Sequence, residues 1–566
     1  MLHKEKKVDS KIFNSLIKNG INPALSNIFA ARDIKSIKDI NYRIDKLISP
    51  DLLKSGKDAA NLIIDKINGK EKIIIIGDYD VDGASATACA YLGLKKFGAK
   101  VDFIVPNRFK FGYGLTPDIV DLAYKKKPGL IITVDNGIAS SEGVSRAKTY
   151  GIEVIITDHH LPGDDLPDTK FIVNPNQLSC KFPSKNLCGA GVIFYVLILV
   201  RSEIRKKKKD SYDYSNIEPI LGDLIDLVAL GTVADLVKLD FNNRILVHFG
   251  IKQIRSKSCN FGIEAILNLS NKNLKDIKTS DLSFLIAPKI NAAGRLSDMS
   301  IGIKCLIAKN KNEARNYANQ LNIINEERKL VESKMKKEAF SLISNHKINT
   351  NYTISLFDTK WHQGVIGIVA SRLKEKYNRP TIIFAEDIDG NLKGSGRSIN
   401  NFHLRDALDL ISKKNPLLIK TFGGHAMAAG LKIKKEDFIL FSSKFELVAK
   451  GSLSENDLNI FIEYDKAIPD KYMTIETIRT INSQIWGQGF PTPIFFGIFD
   501  VVRQEQIAKK HKKCVLKNIN REYEAIFFNF EGKLADRIEI IYTLEINEFR
   551  NKSSIQLIIM SQNEFK

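Results

Sequence analysis

The stretch IIIIGDYDVDG, Ile73–Gly83, decides the reading of this chain: four consecutive isoleucines run into three aspartates at alternate positions. A short, wholly apolar run bounded by turn residues is what a strand buried on both faces of a parallel sheet looks like. Two further runs end the same way. Leu130–Val134 leads into Asp135, and Val154–Thr157 leads into Asp158-His159-His160. In open α/β sheets, ligands gather beyond the carboxyl ends of the strands, so the three clusters are expected to meet in one crevice. Asp235, in LVALGTVADLV after another apolar stretch, is expected to complete the set.

An extended segment would put Asp78, Asp80 and Asp82 on one side, because side chains alternate along a strand. Three anions so close repel, and without a cation at least one would take up a proton. Hard Mg2+ or Mn2+ matches carboxylate oxygens. The bland alternative is an acidic turn whose carboxylates suit the dipole of a helix starting near Ala84. Asp135 in TVDNGIAS also reads as an Asp-Asn-Gly turn, and Asp158-His159-His160 as an N-cap followed by two surface histidines. Taken as a site, the last triplet supplies an imidazole ligand, a second imidazole and an orienting acid. The whole set would hold two ions close together, with one carboxylate bridging, and so points to hydrolysis of a phosphate ester.

Two later segments look like phosphate binders. In GSGRS, Gly394, Ser395, Gly396, Arg397 and Ser398 combine flexible backbone N–H groups with a guanidinium that can grip phosphate through two hydrogen bonds. In FGGHAMAAG, Gly423 and Gly424 precede His425. Each segment also reads as a tight turn between strands.

The 566 residues are enough for three or four domains. Composition is that of a folded chain, with 44% hydrophobic and 27% charged residues. Lys and Arg exceed Asp and Glu by 85 to 65, a formal charge of +20 that favours a polyanionic partner, although the chain is rich in Lys, Ile and Asn throughout. The six cysteines form no CxxC pair or metal-finger spacing and read as reduced cytosolic thiols. The N-terminal MLHKEKKVDS lacks a signal-peptide apolar region. The longest uncharged apolar stretch, Cys188–Val200, is too short to span a bilayer and reads as a buried helix.

Along the chain, short helices are expected over the first 55 or so residues, capping the first domain. Alternating strand and helix patterns follow, as in IIIIGD, ASATACAYLGLKKFG and VDFIVP. The basic run Arg205–Lys209 with DSYDYSN after it reads as a solvated loop. Apolar residues at Ala314, Tyr317, Leu321, Ile324, Val331, Met335, Ala339 and Ile343 keep a helical period and predict a long connecting helix. A second α/β region begins with a strand at Tyr352–Phe357. From about residue 457 the segments NIFIEYD, PIFFGIF, YEAIFFNF, RIEIIYTLEI and SSIQLIIM predict a small antiparallel barrel.

The motifs also occur in a telling order: GDYDVDG, TVDNGI, ITDHHLP, LCGAGVIFYV, ALGTVADLVKLD, APKINAAGRLSD, LNIINEERK, HQGVIGIVASRL, GSGRSI, GGHAMAAG and GQGFPTPIF. In this the chain resembles the DHH phosphoesterases, most closely the branch that degrades single-stranded DNA from a 5′ end. The resemblance implies an α/β protein: a parallel-sheet DHH domain joined by a long helix to a smaller α/β DHHA1-type domain, followed by a C-terminal antiparallel OB-fold barrel. The corresponding boundaries are a helical cap at 1–55, the DHH domain at 56–310, the helix at 311–346, the DHHA1-type domain at 347–452 and the OB-fold at 457–566.

It further implies that Asp80, Asp82, Asp135, His159 and Asp235 are metal ligands for two divalent cations, Mg2+ or Mn2+, with Asp135 as the bridge. Asp78 and Asp158 would be supporting or alternate ligands, and His160 a general acid or electrostatic stabiliser at the scissile phosphate. Asn291 and Arg295 would support the site, with a purely structural role as the alternative for Asn291. Arg397 and His425, with the glycines and serines around them, would hold substrate phosphates, and the barrel would bind a single strand. The implied protein is a cytoplasmic monomer of DNA repair and recombination that releases 5′-mononucleotides from a strand threaded between its two lobes. A helicase and a single-strand-binding protein are its candidate partners, and no membrane is involved. The alternatives are a small-substrate or oligoribonucleotide phosphoesterase of the same family, and a non-catalytic Cdc45-like replication scaffold. Two departures touch the C-terminal domain. Phe490 stands where the family has a polar turn residue in GxGNPxP, and His511-Lys512-Lys513 differs from the family's HLK.

Overall fold

The computed structural model describes residues 2–106, 112–209, 220–256, 258–344, 351–508, 510–519, 521–549 and 552–564. Two compact units divide them. One holds Lys4–Gly294, Asp298–Leu321 and Glu463–Lys566, and the other holds Met1–His3, Arg295–Ser297 and Asn322–Ile462. A single helix, Lys311–Ser344, starts in the first unit and ends in the second.

The isoleucine run forms the strand Lys72–Gly77 of a five-stranded parallel sheet. Ile73 and Ile75 face one apolar core while Ile74 and Ile76 face another, and all four are fully buried. This two-sided burial is why the run shows no polar alternation, and it stabilises the sheet by up to about 2 kcal/mol per side chain. Across the sheet the strands are ordered Lys100–Ile104, Lys72–Gly77, Leu130–Val134, Glu153–Thr157 and Ile172–Val173. The chain therefore moves outward one way from Lys72–Gly77 and then returns to the other side of it. That reversal leaves a crevice between the ends of Lys72–Gly77 and Leu130–Val134, where such folds bind ligands.

The strand gives way at once to the helix Val81–Lys96, three residues before the expected start. Asp80 is its N-cap and accepts a hydrogen bond from Gly83 N–H at 3.0 Å; Lys95 and Lys96 complement the dipole at the other end. The buried apolar stretch from Cys188 belongs to the helix Gly189–Lys209. Arg205–Lys209 is thus the last part of that helix and not a loop, as suits cations at a helix C-terminus; DSYDYSN lies outside the described residues. Among the described residues no helix is long and apolar enough to cross a membrane.

The barrel is closed, in the order Phe495–Ile507, His511–Lys517, Glu522–Phe527, Lys552–Glu564 and Arg537–Phe549. It is not wholly antiparallel, since Glu522–Phe527 and Lys552–Glu564 run parallel. Strand directions cannot alternate around a ring with an odd number of members, so one parallel pair is unavoidable. The first expected barrel strand lies elsewhere: Phe461–Tyr464 pairs with Leu2–Glu5. The N-terminal segment likewise grips the C-terminal part of its unit. Arg32 donates to both Asp465 carboxylate oxygens, at 2.5 and 2.9 Å, and Lys6 adds a contact at 3.1 Å.

Phe490 now has a physical reason. It is buried, stacks on Trp486 with ring centroids 4.8 Å apart, and carries the Arg244 guanidinium 4.4 Å from its ring centre. Its turn also accepts a hydrogen bond at Gln488 O from Leu239 N–H at 2.8 Å. Gly487–Phe490 is therefore a seam between the barrel and the segment that follows Asp235, where an apolar ring packs better than a polar turn residue.

Candidate metal centre

The crevice gathers its side chains by the ends of three strands and two helices. Asp78 leaves the strand Lys72–Gly77, and Asp80 and Asp82 open the following helix. The three aspartates thus cross a strand-to-helix junction and do not share one extended segment. Asp135 follows Leu130–Val134 with φ 61°, a left-handed conformation unusual for aspartate. Such a conformation costs about 1–3 kcal/mol and is found where function requires it. Its own N–H still bonds Thr157 O at 3.0 Å. Asn136 ties the crevice together by donating to Ile76 O at 3.0 Å and Val134 O at 2.8 Å.

His159 Nε2 lies 3.1 Å from Asp135 Oδ1, 3.5 Å from Asp235 Oδ2 and 3.9 Å from Asp82 Oδ2. Three overlapping sets place their donor atoms within 4.8 Å of one another: Asp78, Asp80 and Asp135; Asp135, His159 and His160; Asp82, His159 and Asp235. At that spacing and an effective dielectric near 20, each pair of like charges costs about 3 kcal/mol. Burial first, and then neighbouring carboxylates, push Asp78, Asp135 and Asp235 well above the usual carboxylate range, and raise Asp80 as well. Among the described residues no Lys or Arg lies within ion-pair distance of these four or of Asp82.

The donor set fits divalent cations. Asp135 Oδ1 is buried and has no hydrogen-bond donor in bonding geometry. Carboxylate oxygens joined by imidazole nitrogen suit Mn2+ and Mg2+. Two glycines make the room. A Cβ on Gly189 would lie 2.4 Å from Asp135 Cβ, and one on Gly231 would lie 2.4 Å from Asp82 Oδ1. Asp82 is aimed by the start of the helix Gly189–Lys209, taking hydrogen bonds from Gly189 N–H at 2.6 Å and Ala190 N–H at 3.0 Å.

Asp158 has a different task. It accepts from the backbone N–H groups of Ile138, His159 and His160, and meets His160 Nδ1 at 2.8 Å. Burial alone would raise Asp158, but His160 outweighs it and holds the carboxylate below its ordinary value. Burial would in turn lower His160, yet Asp158, with the charges of Asp78 and Asp235, pushes it up to about 9. Asn291 accepts from Val81 N–H at 3.2 Å and so fixes the start of the aspartate-bearing helix. Tyr113 was not singled out in the sequence. Its hydroxyl lies 3.2 Å from Asp135 O and 3.4 Å from His160 Nδ1, and its only signal was a lone aromatic between glycines in FGYGL.

The remaining candidates lie in the other unit. Arg295 is grouped there, and its guanidinium points to Gly364 O at 3.5 Å. Gly394–Arg397 is not a flexible loop: the strand Leu392–Arg397 pairs on both sides, with Thr381–Glu386 and Ala428–Ile433, so the ladders occupy its backbone. A Cβ at Gly394 would meet Phe384 and Leu431 at 2.6 Å, so this glycine serves packing. Ser395 and Arg397 share the opposite face, and Arg397 Nη1 bonds Ser395 Oγ at 3.3 Å and Gly396 O at 2.8 Å. Burial lowers the pKa of Arg397, and among the described residues it has no carboxylate partner. Ser398 is buried and donates to Phe402 O at 2.6 Å, which commits its hydroxyl to the fold. Gly423, Gly424 and His425 are exposed at a hairpin end, with Gly424 at φ 134°.

A parallel sheet with aspartates and histidines at its switch point, a second sheet with an unpaired guanidinium and a closed barrel together define a phosphoesterase of the DHH class. Family models agree: the DHH family N-terminal domain matches residues 72–232, the DHHA1 domain 349–451 and the RecJ OB domain 464–561. The single-stranded-DNA-specific exonuclease RecJ of Haemophilus influenzae is 42% identical over 95% of this chain and 96% of its own length. The protein of the same description from Escherichia coli is 40% identical over 95% of each chain. The chain belongs to the RecJ family. Crystal structures agree on the fold. RecJ of Thermus thermophilus in complex with Mn2+ is 24% identical, with a TM-score of 0.84 over 100% of this chain and 80% of that one. An exonuclease RecJ bound to manganese is 30% identical, with a TM-score of 0.59 over 72% of this chain and 98% of the other.

Proposed function

We propose that this protein is a metal-dependent exonuclease that degrades single-stranded DNA from the 5′ end to 5′-mononucleotides, in DNA repair and recombination. The observation that carries this reading is the convergence of Asp80, Asp82, Asp135, His159 and Asp235 on one spot, with donor atoms in sets no wider than 4.8 Å. These five residues would hold two divalent cations, with Asp135, which belongs to two of the sets, as the shared ligand. When bound, the cations supply an acidified water as nucleophile and neutralise the charge of in-line displacement at phosphorus.

The chain's other residues prepare the substrate. Asp158 fixes the His160 ring through Nδ1, leaving its other nitrogen to steady a phosphate oxygen or protonate the leaving group. Tyr113 stands beside it, with its hydroxyl 3.2 Å from Asp135 O and 3.4 Å from His160 Nδ1. Arg397 and Ser395 are suited to the terminal 5′-phosphate, which the half-buried guanidinium can grip through two hydrogen bonds. The barrel takes the strand further from its end. A complete donor set argues against a non-catalytic scaffold, and the barrel argues against a substrate of only a few nucleotides. The working form is a cytoplasmic monomer that receives unwound strands from a helicase and a single-strand-binding protein.

The test incubates 5′-labelled single-stranded DNA, duplex DNA and short RNA with Mg2+ or Mn2+, and with a chelator. Mononucleotides should appear only from single-stranded DNA with cation present. Equal cleavage of duplex, or cleavage in chelator, would contradict the reading.

A further inference from the structure

The approach to the metal centre displays two large apolar side chains that stand exposed among the described residues. Leu236 directly follows Asp235; it is 63% exposed and held at φ 57°, so both its backbone and its side chain are in unfavourable states. Phe284 is 77% exposed. It sits in a turn of π-helix, Leu282–Ile286, a rare distortion that concentrates at functional sites. The two belong to one neighbourhood, because Ser283 Oγ reaches Val233 O at 3.4 Å, directly beside the Asp235–Leu236 segment.

The ends of the Phe284 segment are also informative. Upstream, Lys278 pairs with Glu545 of the barrel at 2.6 Å, and Thr279 donates to Trp486 O at 2.7 Å. Downstream, Asn291 holds the start of the helix that carries Asp80 and Asp82. Phe284 therefore stands on a stretch of chain that runs from the barrel side to the residue holding the ligand-bearing helix. Lys238, two residues beyond Leu236, is exposed and can face phosphate.

We infer that Phe284, backed by Leu236, is a stacking platform for an unpaired base of the DNA strand on its way from the barrel to the metal centre. The inference rests on the proposed nuclease reading and adds to it the contact that meets the base. Unpaired bases expose apolar π-faces that aromatic side chains accept whatever the sequence. A paired base keeps its faces inside the duplex stack, so the same contact favours single strands. In this reading Phe284 positions the strand and takes no part in the chemistry.

The experiment measures binding of the full-length protein to fluorescent 20-residue oligothymidylate without divalent cation, so that the strand stays intact. A single abasic site is walked along the strand from the 5′ end. For the wild type, affinity should fall at least about fivefold at one or two adjacent positions and little elsewhere. Phe284→Ala should bind the unmodified strand about as weakly as the wild type binds those abasic strands, and should lose nothing more at those positions. Phe284→Trp should restore the wild-type pattern. A wild-type profile with no position dependence, or the same positional loss in Phe284→Ala, would overturn the platform. The cleavage assay fails separately: a protein that shows the positional pattern but cuts nothing keeps the platform and loses the nuclease.

Discussion

The two α/β sheets carry opposite electrostatic debts. Beyond the parallel sheet, Asp78, Asp80, Asp82, Asp135 and Asp235 crowd together with histidines but, among the described residues, without a lysine or arginine. In the mixed sheet of the other unit, Arg397 is a half-buried cation without a carboxylate among the described residues. Neither arrangement is one a fold would keep for stability, since buried charge is costly unless paired. The first arrangement suits a divalent cation, and the second is the one we propose for a phosphate.

Breaking the first sheet's half should have the larger effect. Asp135→Ala is expected to lower hydrolysis of single-stranded DNA by about a thousandfold or more, because two sets of donors share that carboxylate. Circular dichroism should be unchanged, and residual activity within a few-fold of wild type would refute a bridging role. Arg397→Ala breaks the other half. Loss of a charge-assisted contact worth about 1.5–3 kcal/mol should raise KM for a 5′-phosphorylated strand roughly ten- to a hundredfold. A strand with a 5′-hydroxyl should respond far less, and equal responses would detach Arg397 from the terminal phosphate.

The smallest effect sharpens the contrast through pH. In the metal-free protein Asp78, Asp135 and Asp235 are raised, by burial and then by neighbouring charges, so the folded chain binds protons that the unfolded chain has already lost. Stability contributed there is present below the unfolded carboxylate value of about 4 and declines as pH rises toward the raised values. Divalent cation replaces those protons, so the Mn2+-induced rise in melting temperature should grow from about pH 5 to about pH 8. A shift that is constant with pH would mean that the ion binds elsewhere.

The sequence announced the first sheet more clearly than the second. Ile73–Ile76 could be read because a strand buried on both faces leaves no polar residue in its run, and the aspartates and histidines stood directly at strand ends. What the aspartates do locally was harder to see, since Asp80 is both an N-cap and a candidate ligand, and the functional and bland readings coincide in one residue. GSGRS was harder to read because glycine serves two purposes: at Gly394 it makes room for Phe384 and Leu431, while Ser395 and Arg397 occupy the opposite face of the strand. The odd strand count of the barrel, the seam around Phe490 and the Tyr113 hydroxyl beside His160 depend on contacts between distant segments. No local pattern encodes them.

The central claim is that one cluster of acids and imidazole seats a pair of cations. Anomalous diffraction from crystals grown with Mn2+ addresses it directly. Two peaks are expected, both within coordination distance of Asp135, with His159 and Asp235 among the remaining ligands. No peak among these residues, or a single peak that Asp135 does not touch, would contradict the account.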